Sequence, residues 1–153
     1  MTTPGRPIAR GTVLQGGRAK AYRPLAADDR ATAARAGLEA YERGDFFEAH
    51  ELLEPAWMGH DDPAERELVQ GLIKLAAAFV HATRGNPLGV RKNLVGARER
   101  LATSLSLEPR GSLPGPLAEL DAEALLGTIE DLLAQPVEAP VSPPPLVRRG
   151  RER

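Results

Sequence analysis

Two residues on one helical turn hold the most reactive chemistry in this sequence. His50 and Glu54 are the first and last residues of the stretch HELLE. A spacing of four residues puts two side chains on the same face of a helix, one turn apart. An imidazole and a carboxylate in that arrangement suit chelation of a metal ion, or acid–base catalysis by His50 with Glu54 as the residue that orients it. The stretch differs by one residue from the HExxH helix of zinc proteases, because Glu54 stands where the second histidine would be.

Further polar residues interrupt the most apolar stretch of the chain. Gln70, Lys74 and His81 have the spacing of one helical stripe. A helix this apolar is expected to be buried on most sides, so its polar stripe has to meet water or other polar groups. We therefore expect the stripe to dock against His50 and Glu54, with the side chains within about 6 Å of one another or bridged by water.

This docking would join the polar residues of both helices in one cluster, whose members are His50, Glu51, Glu54, Trp57, Gln70, Lys74 and His81. Four roles stay open. The cluster could hold a metal ion, with His50, Glu54 and His81 as candidate ligands, or act in acid–base catalysis. It could bind an anionic or polar small molecule through Lys74 and the histidines, or form a buried polar network that fixes how two helices dock. No cofactor is predicted.

The spacing of apolar residues predicts an all-α fold, a compact bundle of about five helices built from αα-hairpins. The predicted helices span about 31–43, 45–58, 63–84, 87–107 and 121–134. Asp62 before Pro63 and Asn86 before Pro87 are typical helix starts, and Gly44 is a typical residue after a helix end. The tripeptides RGD and RGN, at 43–45 and 84–86, lie 41 residues apart, which predicts two similar helix–turn–helix units.

The second predicted helix carries large apolar residues that we expect to be buried, among them Phe46, Phe47 and Trp57. On a helical wheel, His50 and Glu54 fall inside the arc of these aromatic residues and not opposite to it. The wheel therefore predicts that both polar side chains lie in the interior, where they need polar partners.

The two ends of the chain differ from the predicted helical domain at 31–134. Residues 1–30 are rich in Gly, Pro and Arg without an apolar period, which predicts a flexible basic arm with a short extended piece near Thr12–Leu14. Residues 135–153 are predicted to be a disordered tail that is rich in Pro and Arg and polyproline-like. Both ends carry a net positive charge, and the body between them is acidic.

The composition excludes several classes of function. The chain has 153 residues and no cysteine, so disulfides, thiolate metal sites and cysteine nucleophiles are excluded. The sequence shows neither a secretory signal nor a stretch that could span a membrane, so a cytoplasmic protein is expected. The cations of the fourth helix spread around it and aromatic residues are few, which argues against nucleic-acid binding. A homo-oligomer stays open.

Two blocks of the sequence, FFEAHELLEPAW and QGLIKLAAAFVHATRGN, resemble the signature of the family called domain of unknown function 309. The resemblance covers about residues 34–107 and implies a compact all-helical domain, without implying a reaction. Pro55 and Lys74 depart from the family pattern, which usually has a helix former and a glutamine there. An ammonium group beside a bound cation is unfavourable, so Lys74 argues against a metal site shared with the family and favours an ion pair with Glu54.

Taken together, these features predict a helical domain that acts as a non-enzymatic binding or scaffold module, with a buried polar cluster that receives a small ligand. The alternative is a metal-dependent, hydrolase-like enzyme that uses His50, Glu54 and His81.

Overall fold

The computed structural model describes residues 12–15, 18–21, 25–57, 62–107 and 115–148 of the chain. The helices of this part are α1 (Ala27–Glu42), α2 (Phe46–Trp57), α3 (Pro63–Thr83), α4 (Pro87–Ser106), α5 (Gly115–Glu119) and α6 (Ala122–Leu133). The strands β1 (Thr12–Gln15) and β2 (Arg18–Ala21) pair as an antiparallel ribbon. The all-α prediction is confirmed. Helix α5 begins in a segment predicted as a loop. The sequence does not predict this helix because five residues are too few to give a periodic signal.

The two predicted helical hairpins share one turn geometry. Gly44 and Gly85 have φ angles of 83° and 67°, the left-handed conformation that glycine adopts without steric cost. At each turn the residue after the glycine donates its N–H to a carbonyl five residues earlier, from Asp45 at 2.8 Å and from Asn86 at 3.0 Å, as in a Schellman motif. The internal repeat is therefore present in the structure as the hairpins α1–α2 and α3–α4.

Helix α3 is the central element of the domain. It packs against both α2 and α4, and most of its residues are buried. Near the two turns, the rings of Tyr41, Phe46 and Phe79 contact one another in sequence, with centroid distances of 5.4 and 5.5 Å. These rings join α1, α2 and α3 in one apolar core.

The first turn of α3 holds a buried charge. Asp62 accepts a hydrogen bond from the N–H of Ala64 at 3.1 Å, which confirms the predicted helix start. Glu65, only 2% exposed, lies with its Oε2 3.6 Å from Nε of Arg30 on α1. The acidic side chain therefore ties α3 to α1.

Helices α4 and α6 pack together, and Arg91 fixes the end of α6. The guanidinium of Arg91 donates to the carbonyl of Leu133 at 3.2 Å and to that of Gln135 at 2.7 Å. These carbonyls lack helical partners at the end of α6, so a cation there stabilises the helix terminus.

Helix α1 begins at Ala27, four residues before the predicted start near residue 31. Asp28 and Asp29 lie in its first turn, where carboxylates stabilise the positive end of the helix dipole. The last residues of the predicted arm therefore belong to the helical domain. Strand β1 agrees with the extended piece predicted near Thr12–Leu14, and residues 1–11 lie outside the described residues.

Residues 135–148 differ from the predicted disordered tail. The chain runs from residue 140 to 147 without a turn or bend, and Pro144 and Leu146 are buried against the helices. The hydroxyl of Tyr41 donates to the carbonyl of Pro144 at 2.8 Å. The composition of this segment predicts disorder. A buried tyrosine hydroxyl needs a hydrogen-bond acceptor, however, and this segment supplies one, which composition alone does not show. Residues 149–153 lie outside the described residues.

Candidate functional site

Two alanines and a leucine, not aromatic residues, form the buried centre of α2. Ala49, Leu53 and Ala56 are the buried residues of this helix, whereas Phe47 is 60% exposed. The prediction that Phe47 is buried is therefore wrong. The wheel centred on the aromatic residues is rotated away from the true core, because α1 approaches α2 closely at Gly37, where an added Cβ atom would lie 2.6 Å from Cγ of Leu53.

His50 and Glu54 are neighbours on α2, as predicted. The Nε2 atom of His50 lies 3.8 Å from Oε2 of Glu54, and its Nδ1 atom lies 3.5 Å from Oε2 of Glu51. The side chains of His50 and Glu54 are 25% and 12% exposed, and that of Glu51 is 58% exposed. Trp57 is partly buried against the core. The imidazole thus lies between two carboxylates at the edge of the helix.

This arrangement does not form the predicted metal site. The two carboxylates face different nitrogens of the His50 ring, so they do not converge on one point where an ion would bind. In the described part of the chain, no three His, Asp or Glu side chains form a group that could hold a metal. The candidate set of His50, Glu54 and His81 is therefore not assembled, because His81 is bound elsewhere.

Lys74 and His81 contact α4, although they were predicted to meet α2. A Cβ atom added at Gly96 of α4 would lie 2.6 Å from Cδ of Lys74, so the alkyl stem of Lys74 runs directly over this glycine. Nδ1 of His81 lies 3.0 Å from Nδ2 of Asn86. The expected ion pair between Lys74 and Glu54 is absent among the described residues. Lys74 and His81 face α4 because two glycines of that helix, Gly96 and Gly89, make room for their side chains.

Gln70 is the remaining member of the predicted cluster. It is buried, with 7% of its surface exposed, and it does not belong to the described lining of the groove between α3 and α4. Of the other members of the predicted cluster, Glu51 and Glu54 lie beside His50 on α2, and Lys74 lines the groove.

That surface is a groove between α3 and α4 with a volume of about 560 Å³. Its lining consists of Lys74, Lys92, Asn93, Val95, Gly96, Glu99, Arg100 and Thr103. Arg100 pairs with Glu67 of α3 at 3.1 Å. Lys74 and Lys92 form no ion pair within the described residues. The groove therefore presents two ammonium groups that have no ion-pair partner in the described part of the chain.

The groove residues of α4 were not predicted as a site, because the cations of α4 taken together do not form a stripe. A narrower signal exists in the sequence: Lys92, Gly96, Arg100 and Thr103 lie four, four and three residues apart, which is one helical face. Two of the three lysines in the chain, Lys74 and Lys92, also stand at this groove.

At one end of the interface between α3 and α4, His81 contacts the residues that begin α4. Asn86 accepts a hydrogen bond from the N–H of Gly89 at 3.1 Å through its Oδ1, as predicted for a helix start. Its Nδ2 must then donate to Nδ1 of His81, so that nitrogen carries no proton. A Cβ atom at Gly89 would lie 2.5 Å from Nδ1 of His81, so the glycine makes room for the ring. His81 here supports the start of α4.

The fold and these surfaces define a small all-α domain of two helical hairpins, with a cationic groove between α3 and α4. None of the helices in the described ranges combines the length and the apolar content needed to cross a bilayer.

Residues 34–93 match the family described as Domain of unknown function (DUF309). The match begins within α1 and ends within α4, so it includes both turns as well as Lys74 and Lys92. The chain has no significant match among curated proteins or among solved structures.

Proposed function

We propose that this protein is a non-enzymatic binding module that holds a small anionic molecule in the α3–α4 groove. The single observation that carries the proposal is that Lys74 and Lys92 line one groove without an ion pair among the described residues. Two ammonium groups beside one concave surface attract negative charge. The groove volume of about 560 Å³ is within the range of small-molecule sites, roughly 300–1,000 Å³.

The other lining residues narrow the chemistry of the ligand. Lysine ammonium groups are compact point charges that suit a carboxylate or a phosphate group. Asn93 and Thr103 add neutral polar groups, and Val95 and Gly96 add an apolar surface. Such a mixture favours a small organic anion over an inorganic ion.

The groove chemistry supports binding over acid–base catalysis. Among its described lining residues, Glu99 is the only carboxylate and none is a histidine. The histidine–carboxylate group of α2 belongs to a different helix, with His50 held between Glu51 and Glu54. A chain without cysteine that binds a small anion fits a cytoplasmic protein.

Calorimetric titration at low ionic strength tests the proposal, with citrate and inorganic phosphate as the two ligands. We expect citrate to bind more tightly than phosphate, since its three carboxylates can meet both ammonium groups. Replacing Lys74 or Lys92 by methionine should each weaken citrate binding about tenfold, the usual effect of losing a charged hydrogen-bond donor. Arg98→Met is the matched control, because Arg98 belongs to α4 but not to the groove lining.

Gly96→Ala gives a second test that keeps every charge. The new Cβ atom would lie 2.6 Å from Cδ of Lys74, so the flexible lysine stem has to move while the helix gains propensity. Citrate affinity should fall although the protein becomes no less stable. Wild-type affinity in both Gly96→Ala and Lys74→Met would exclude the groove as the site, and no citrate binding by the wild-type chain would refute the proposed function.

A further inference from the structure

The C-terminal segment 140–148, here called the docked tail, occupies a distinct surface at the end of α1 and the start of α6. This surface consists of Tyr41 and Glu42 from α1 and of Leu120 and Asp121 beside α6. It shares no residue with the lining of the α3–α4 groove. The contacts of the docked tail therefore describe a second site.

The docked tail is bound by the interactions that bind peptide ligands, namely hydrogen bonds to its main chain and a charge pair. Tyr41 donates to the carbonyl of Pro144, and the N–H of Asp121 donates to the carbonyl of Val147, both at 2.8 Å. At the end of the segment, a guanidinium nitrogen of Arg148 lies 3.5 Å from Oε2 of Glu42. Main-chain hydrogen bonds give a surface affinity for any extended chain, and side-chain pockets and charge pairs select its sequence.

Burial alternates along the docked tail. Pro144 and Leu146 face the helices, whereas Pro143 and Pro145 are exposed. A prolyl segment loses little conformational entropy on binding because its backbone is already restricted. Aromatic side chains that donate to carbonyls are typical of surfaces that bind proline-rich peptides. The surface thus has the chemistry to recognise proline, leucine and arginine at alternate positions.

We propose that this surface is a binding site for a proline-rich peptide of another protein, and that the docked tail closes it in the free protein. The partner peptide is extended and carries Pro, Leu and Arg at the spacing of Pro144, Leu146 and Arg148. The inference does not depend on the proposed anion site.

The tail competes from within the same molecule, so the free protein binds such a peptide weakly. The apparent dissociation constant equals the intrinsic one divided by the fraction of molecules with an open site. Weakening the tail must then strengthen peptide binding, which is the opposite of what loss of a structural element would do. The Glu42–Arg148 pair is the place to weaken it, because the two side chains are 43% and 25% exposed and their loss spares the core.

The test uses the full chain and a fluorescent peptide with the sequence of residues 139–148, APVSPPPLVR, followed by fluorescence anisotropy. The chain with Arg148→Glu should bind this peptide about fivefold more tightly than the wild type, the upper range for an exposed ion pair. Glu138→Arg is the matched control, since it reverses one exposed charge just before the docked tail, and it should bind like the wild type. Circular dichroism verifies that each variant is folded.

Reversing the charges of the Glu42–Arg148 pair distinguishes sequence-specific recognition of the peptide from non-specific binding. The chain with Glu42→Arg should prefer a peptide that ends in glutamate over the peptide that ends in arginine, whereas the Arg148→Glu chain should show the opposite preference. Equal affinity of the wild-type and Arg148→Glu chains, or no change of preference with Glu42→Arg, would overturn the proposal. A wild-type dimer, seen by light scattering and dissociated by the peptide, would assign the surface to a second copy of this chain and also overturn it.

Discussion

Replacing Gly37 by alanine tests how closely α1 must approach α2 to form the first hairpin. A Cβ atom built on Gly37 lies 2.6 Å from Cγ and 2.8 Å from Cδ2 of Leu53. Carbon atoms in contact prefer about 3.5–4.0 Å, so one side has to yield by about 1 Å. Leu53 is 2% exposed, and because protein interiors are close-packed, its movement would displace other core atoms.

The magnitude follows from two opposing effects. Alanine in place of a helical glycine gains up to about 1 kcal/mol of helix propensity. Overpacking of a filled core costs about 1–3 kcal/mol, so Gly37→Ala should lower the free energy of unfolding by up to about 2 kcal/mol. For a protein of this size, that loss corresponds to a melting temperature up to about 8 °C lower.

Urea unfolding followed by far-UV circular dichroism measures the change. The matched control is Gly127→Ala on α6, where an added Cβ atom would have no neighbour within 4 Å, so this variant should gain stability. A double variant with Leu53→Ala should lose less than the sum of the two single changes, because the smaller side chain relieves the clash. If Gly37→Ala were as stable as Gly127→Ala, the close packing of α1 on α2 would be incorrect.

Three further results are expected. Burial raises the pKa of Tyr41, so the stability that Tyr41 contributes is complete below the ordinary tyrosine pKa of about 10 and falls at higher pH. Tyr41→Phe should therefore reduce the loss of stability at alkaline pH, measured by urea titrations at several pH values. An unchanged pH profile in this variant would contradict the prediction. Asn86→Ala should lower the free energy of unfolding by about 1 kcal/mol as a lost helix cap, measured as a lower urea midpoint. Ser104→Ala removes a fully buried hydrogen bond of 2.7 Å and should lower the free energy of unfolding by about 0.5–1.5 kcal/mol; no change in the urea midpoint would argue against that bond.

The sequence predicts the hairpins well because local rules govern them. Glycine with positive φ at Gly44 and Gly85, and the side-chain acceptors Asp62 and Asn86, act within a few residues of their own position. These features require no knowledge of the neighbouring helix. The start of α1 is less well predicted, because the side chain of its N-cap residue, Ala26, forms no capping hydrogen bond and no apolar period marks the first turn.

The candidate site was harder to predict because it depends on which helix each face meets. A helical wheel orders the residues of α3 correctly, but it does not say whether Lys74 and His81 face α2 or α4. Glycines decide this: Gly71 lies against Leu101, and Gly96 lies under Lys74. Small residues on both helices let α3 and α4 approach closely, and long polar side chains then fill the remaining space at the edge of that contact.

The tail shows a different limit of sequence-based prediction. A segment rich in proline has little propensity for helix or strand, and low propensity alone predicts disorder. Its order depends on a few partners that are distant in sequence, with Tyr41 103 residues away from Pro144. Such pairs leave no local signal, and a single buried hydroxyl is enough to make one conformation preferable.

The internal repeat shows why the fold does not determine the function here. At the spacing of 41 residues, Lys92 of α4 corresponds to Glu51 of α2, and Gly96 corresponds to Pro55. The two hairpins share their turn geometry, yet one presents a cation where the other presents a carboxylate. Lys92 on α4 lines the groove together with Lys74 of α3, and Gly96 makes room for the Lys74 side chain. The chemistry of the groove therefore comes from side chains placed on a repeated scaffold, and substitutions at Lys92 and Gly96 should change binding while the hairpin itself persists.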